Sequence, residues 1–414
     1  MLSDAGVRWV LLSFLVACSG APSRDDAGPE TGVIHFDAGV GDVTGPFVTA
    51  KHPPLPREIT GGGAVLSTPR IVVITYDGDP YRDQLESFNA QIGATKFWHD
   101  VTSEYGVGVM NAGRPVHLSG PAPATVDDID VKKWFATMLD GTHPEFDLPD
   151  DQTMYILYYP EGTTYFLGSA TGCKEFGASD NLGQLANGGK MIPYIVVPRC
   201  PNLASLDAWQ TLTAVSSHEL YEEATDPFKT AWVSVDADHL GFSLTPPFSE
   251  IGDMCIADPT EYVVAPEIGA TVQRAWSNAA AAAGKNPCVP APATPYFAAV
   301  PVEKDGVKIG SDFEGWSGST RGVHVPVGQT KTIEVDLFSE AAVPAWHVNV
   351  YDVATAQGRK PELSVSLDVG GGNNGDKLAL TIKALSPGEG GGSRYLIVSD
   401  DGVHGTFWLG YVGN

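Results

Sequence analysis

The chain has 414 residues, 43% of them hydrophobic, which suffices for a buried core and exceeds one compact domain of roughly 100–200 residues. Its formal net charge of -25 repels nucleic-acid phosphates and anionic membrane surfaces, so no nucleic-acid partner is expected. The same acidity serves solubility and suits cationic partners or metal ions.

The N-terminus is apolar from Trp9 to Ala17, just after Arg8. That run is too short for a membrane-spanning helix, which needs about 20 apolar residues. It reads as an export signal over residues 1–18, although Asp4 is unusual in so short a leading segment. Its last residues, Leu15-Val16-Ala17-Cys18, resemble the bacterial lipobox, in which the cysteine is acylated and becomes the new N-terminus. Ser19 then resembles the sorting choice for the outer membrane. The resemblance implies a lipoprotein of the outer membrane or cell surface of a Gram-negative bacterium, held to the membrane by a lipid on Cys18. The alternative is a plain cleaved signal with an incidental cysteine. No later stretch is long and apolar enough to span a bilayer.

Residues 19–62 are rich in Gly, Pro, Asp and Ala and lack sustained apolar periodicity, so a flexible tether is expected there. Residues 63–290 mix strand and helix signals and predict an α+β domain. Ile71-Val72-Val73-Ile74, Tyr155 to Tyr159 and Tyr194 to Val197 read as buried strands, the first closed by the turn Asp77-Gly78-Asp79-Pro80. Asp127 or Asp128 caps a helix through Trp134, Phe135 and Met138, and a second helix runs from about Leu206 to Thr225. The Pro-rich stretch Pro287 to Pro295 is the expected hinge. Residues 291–414 then alternate in short runs, such as Ile333, Val335, Leu337 and Leu378, Leu380, Ile382. They predict an all-β, immunoglobulin-like antiparallel sandwich without a catalytic cluster.

With Cys18 lipidated, four of the five cysteines remain, an even number suited to an oxidising compartment. Three pairings are possible, and nearest-neighbour pairing, Cys173–Cys200 and Cys255–Cys288, is expected. The cysteines form no close C-x-x-C pair, so a thiolate zinc site is not.

Chemistry concentrates in Ser216-Ser217-His218-Glu219-Leu220-Tyr221-Glu222-Glu223-Ala224-Thr225-Asp226-Pro227. His218 and Glu222 lie four apart and share a helix face, so both can ligate one ion. Glu219 is offset by one position, and Glu223 is expected to face solvent. The pattern resembles the zinc-protease motif H-E-x-x-H with glutamate as the second ligand. In that motif the ion acidifies a bound water and the glutamate takes its proton. Pro227 ends the helix at Asp226. An acidic helix carries H-E-x-x-E by chance, but Ser249-Glu250-Ile251-Gly252-Asp253-Met254-Cys255 follows. Glu250 is the expected third ligand, as in zincins of the thermolysin type, with Asp253 as a supporting carboxylate or the alternative ligand. A turn shaped around Gly252 would explain the same residues without a metal.

The run from Ser217 to Cys288 resembles the phosphate-induced, EXORDIUM-like protein family of plants and its bacterial relatives. The matching pieces are His218-Glu219-Leu220, Glu222, Asp226-Pro227, Ala231-Trp232, Glu250-Ile251-Gly252-Asp253 with Cys255, and Val272 to Ser277. Phe97-Trp98 and Glu104-Tyr105-Gly106-Val107-Gly108 are similar, less specifically. The resemblance covers much of residues 70–290 and implies a surface protein with a metalloprotease-like core, without fixing a reaction. Two functional expectations follow. One is a zinc or other divalent-metal peptidase or hydrolase acting on peptide, protein or cell-wall substrate, with His218, Glu222 and Glu250 as ligands and Glu219 as base. In it, His239 or Tyr221 stabilises the oxyanion. The other is a non-catalytic surface binding or adhesion module on the same scaffold.

Overall fold

The computed structural model describes residues 46–185, 189–203, 205–243, 246–310, 316–388 and 392–413. The expected export signal, Cys18 and residues 19–45 of the expected tether lie outside them. The described chain is β-rich. None of its helices is long and apolar enough to cross a membrane.

In the first half, strand Arg70–Tyr76 pairs in parallel with Asn111–Ala112, Val116–Leu118 and Thr153–Tyr158. Thr153–Tyr158 pairs in parallel with Met191–Val197, and the edge strand Ser179–Gln184 runs antiparallel beside that. The continuous apolar runs follow from burial on both faces of a mostly parallel sheet. Ile71, Val73, Ile156 and Ile195 pack on one side among Leu85, Phe88, Phe97, Leu212 and Leu220. Val72, Ile74, Leu157 and Val196 pack on the other among Val131 and Phe135. The period of two in a strand thus sorts neighbouring residues into separate cores. Asp127, of the two expected caps, holds the start of helix Asp128–Met138 by accepting from the Ile129 amide.

Helix Ala208–Thr225 lies under the first face. Asp207 and Gln210 form a reciprocal capping box at its start, and it ends at Asp226, where Pro227 disfavours another helical residue. Every residue from Thr211 to Thr225 is buried. The helix is central rather than amphipathic, which is why its polar residues have to be explained. Hairpin Tyr262–Ala265 with Ala270–Gln273 packs beside it, and the Gln273 amide donates to Ser217 Oγ at 3.0 Å.

In the second half, one sheet orders the strands 297–301, 330–339, 377–384 and 363–367, all antiparallel. The other orders 305–310, 317–324, 405–413, 392–400, 346–352 and 371–372, antiparallel except where 317–324 meets 405–413. The two sheets enclose one core. That core also takes in Leu55, Phe242, Met254, Cys255, Trp276 and Cys288. The expected hinge at Pro287–Pro295 is therefore corrected. Cys288–Val289 pairs with Ala275–Trp276, Cys288 is bonded to Cys255, and apolar packing runs continuously between the halves.

The expected tether over 19–62 is corrected in its described part. The Ala50 amide donates to Asn374 Oδ1 at 3.0 Å, His52 stacks on Phe338, and Glu58–Thr60 pairs with strand Trp232–Val235. Low sequence complexity hid these residues because a strap borrows its core from the body it crosses. Both expected disulfides form, Cys173–Cys200 and Cys255–Cys288.

Candidate metal centre

His218 and Glu222 project from one side of the buried helix, as their spacing requires. His218 Nε2 lies 2.9 Å from Glu222 Oε2 and 3.8 Å from Asp253 Oδ1. The His218–Glu222 pair has the distance of a hydrogen bond without its alignment. Both His218 ring nitrogens and Glu222 Oε2 have no hydrogen-bond partner among the described residues. Buried polar atoms left in this way cost stability unless something else satisfies them. A cation set between a ring nitrogen and two carboxylates does so. His218, Glu222 and Asp253 each offer an atom within 4.8 Å of the others.

The loop carrying Asp253 is fixed by Glu222. Its Oε1 accepts from the Gly252 amide at 2.9 Å and the Asp253 amide at 3.2 Å. Asp253 opens a short 3-10 turn that ends at the disulfide-bonded Cys255, and Gln273 Nε2 donates to the Gly252 carbonyl at 3.1 Å. Loop, helix and hairpin are thus tied at the point where the three candidate ligands meet.

Glu250, the expected third ligand, turns elsewhere. Its Oε1 is 3.3 Å from Lys229 Nζ, and Lys229 also pairs with Asp180 of the edge strand. Glu250 belongs to a second group, Asp180–Glu222–Glu250, whose atoms also lie within 4.8 Å of one another. Glu222 is common to both groups. Glu219 is buried beside them, with Oε2 unpaired among the described residues. Glu223, expected to face solvent, is fully buried. The correction has a simple cause: a helix covered on every side has no solvent face.

The electrostatics follow from many carboxylates and few cations. Burial favours a neutral His218, but Glu222, Glu219 and Asp253 outweigh it and raise its pKa to about 10. Burial lifts Asp253 to about 7, helped by Glu222 and opposed by His218. Glu219 is pushed well above the usual carboxylate range, first by burial and then by Asp180 and Glu222, against His218. Glu250 rises for the same reasons, burial first and Asp180 next. A divalent cation would supply positive charge to this cluster and favour its ionised carboxylates.

The two candidate oxyanion groups differ in placement, and Tyr221 Oη borders Gly252 together with Glu222 Oε1 and His218 Nδ1. His239 Nδ1 is 2.8 Å from Asp236 Oδ1, and its ring sits edge-on to Trp408. Tyr221 Oη reaches the Arg274 carbonyl at 3.5 Å, inside the core.

Sequence reasoning missed Asp180 and Lys229. Asp180 carries no local signal, since strand pairing alone brings residue 180 to the helix. Lys229 carries a weak one: it is the lone Lys or Arg between Arg199 and Arg274, in a stretch crowded with carboxylates.

No family model matches the chain, and no curated protein does. Solved structures that match include a chimeric titin Z1Z2 functionalised with an exogenous KLER peptide from decorin. It is 16% identical, with 29% of this chain and 95% of that chain covered and a TM-score of 0.17. The titin M3 domain is 14% identical, with 22% and 85% covered and a TM-score of 0.15. Similarity at those scores carries no argument about fold or function.

Proposed function

We propose that this protein is an exported lipoprotein, anchored through Cys18, whose first half is a zincin-like, metal-dependent peptidase or hydrolase. The observation that carries the reading is the buried, unsatisfied His218–Glu222 pair converging with Asp253. Asp253 takes the third-ligand place first expected of Glu250, because Lys229 engages Glu250. A mostly parallel sheet with one antiparallel edge, lying over the helix that bears H-E-x-x-E, also suits a zincin-like scaffold. The immunoglobulin-like reading of the second half, and kinship with the EXORDIUM-like family, belong to the same proposal.

Bound zinc would acidify a water and polarise a carbonyl oxygen. The protein's own part is to present His218 and Glu222 from one side of the helix, fix Glu222 through two backbone amides, and set Glu219 beside them as proton acceptor. Burial raises the Glu219 pKa above the usual carboxylate range, the direction in which general bases are tuned. Two carboxylate ligands leave a bound water less acidic than histidines do, so slow turnover is expected.

A second reading, a non-catalytic binding module, is favoured by burial. The His218 side chain is 5% exposed and Glu222 0%, and only Asp253, at 13%, opens appreciably to solvent. Zinc content and hydrolysis of casein or peptidoglycan peptides separate the readings. The hydrolase reading expects zinc in wild type and in Glu219→Gln, with hydrolysis lost in the variant. Absence of zinc in wild type, or unchanged hydrolysis in Glu219→Gln, would sink it. Zinc without hydrolysis in either protein selects the binding module.

A further inference from the structure

Lys229 has no part in the reaction described above, yet its ammonium lies deep among the same carboxylates. Its side chain is 3% exposed, and its nitrogen touches Asp180 and both oxygens of Glu250, at 3.3 and 3.5 Å. Asp180 is 0% exposed, and its Oδ1 accepts no hydrogen bond among the described residues. Asp180, Glu250 and the shared Glu222 lie as close together as the ligands of the first group.

We propose that Asp180, Glu222 and Glu250 form a second cation position beside the His218–Glu222–Asp253 position, and that the Lys229 ammonium fills it. The inference rests on the metal reading of the neighbouring site. The centre is then built for one metal ion and one ammonium, with Glu222 common to the two carboxylate groups and the ammonium held by Asp180 and Glu250. Lys229 acts as a positioning and specificity-determining residue. It draws Glu250 out of the first ligand set, leaves that place to Asp253, and excludes a second divalent ion by charge and volume. A buried ammonium is costly unless paired, and these carboxylates are costly unless a cation lies between them, so each requires the other. Removal of the ammonium leaves a vacant anionic pocket of oxygen donors, the ligand type that divalent cations take.

The test is zinc stoichiometry of the full mature chain, measured by elemental analysis after dialysis against zinc alone. Wild type and Lys229→Arg are expected to hold one zinc per chain, and Lys229→Ala two. Asp180→Asn combined with Lys229→Ala is expected to return the count to one. A folded Lys229→Ala with the wild-type count overturns the proposal. If Lys229→Ala is unfolded without metal, zinc is expected to restore its thermal transition, and failure of zinc to do so overturns the proposal equally. The readout is the difference between variant and wild type. Wild type without zinc would reject the hydrolase reading, while an added zinc in the variant would still uphold the second position.

Discussion

Gly252 sits where the candidate ligands meet, and a single methyl there tests the geometry. A Cβ at this position would stand 2.6 Å from Tyr221 Oη and 2.7 Å from both Glu222 Oε1 and His218 Nδ1. The backbone, at φ -77° and ψ -40°, accepts alanine, so the penalty is steric and not conformational. All three neighbours are buried side chains on one helix and have little room to withdraw. Overpacking of this kind costs about 1–3 kcal/mol. Displacing the two amide donations to Glu222 Oε1 adds about 1.5–3 kcal/mol, as expected for hydrogen bonds to a charged group. Gly252→Ala should therefore lower unfolding free energy by about 2.5–6 kcal/mol and weaken zinc binding at least about tenfold, or ~1.4 kcal/mol. Gly306→Ala is the control, since a Cβ there meets nothing within 4 Å. It should change stability by less than about 0.5 kcal/mol. Urea unfolding and zinc calorimetry on both variants give the answer. Equal stability and equal zinc affinity in the two would refute the placement of Gly252 against His218 and Glu222.

Burial raises the Glu303 pKa to about 7, against hydrogen bonds from the Tyr411 amide and the Tyr395 hydroxyl. The folded state then holds this proton more tightly than the unfolded chain. The stability it contributes is full below the unfolded pKa near 4.5 and is lost as pH rises to about 7. The loss is on the order of 3 kcal/mol. Glu303→Gln should flatten that part of the stability–pH curve, and an unchanged slope counts against the burial of this carboxyl. Replacing Cys255 and Cys288 together by serine opens a sequence separation of 33 residues and should cost about 4 kcal/mol in the chain-entropy account. Because that bond anchors the Asp253 loop, zinc affinity should fall as well, and retention of both properties would show the loop to be held without it. Labelled palmitate should enter wild type but not Cys18→Ser in a Gram-negative host, and wild type without label would reject the lipobox reading.

The sequence by itself determined what is local. The run at Ile71–Ile74 made a strand, Pro227 ended a helix, and the spacing of His218 and Glu222 put them on one face. Short-range covalent geometry and capping chemistry are enough for such statements. The nearest-neighbour cysteine pairing was also legible, because chain proximity favours short loops. The tertiary structure alone decided the rest. Whether Glu223 meets water depends on what covers the helix, and the chain covers it on all sides. Asp180 reaches the cluster through the register of a strand that begins at Ser179, well before the helix in sequence. The choice between Glu250 and Asp253 turned on Lys229, whose ammonium claims one carboxylate and leaves the other beside His218. Charge pairing in a buried site is a property of three-dimensional neighbours, and no spacing rule along the chain encodes it.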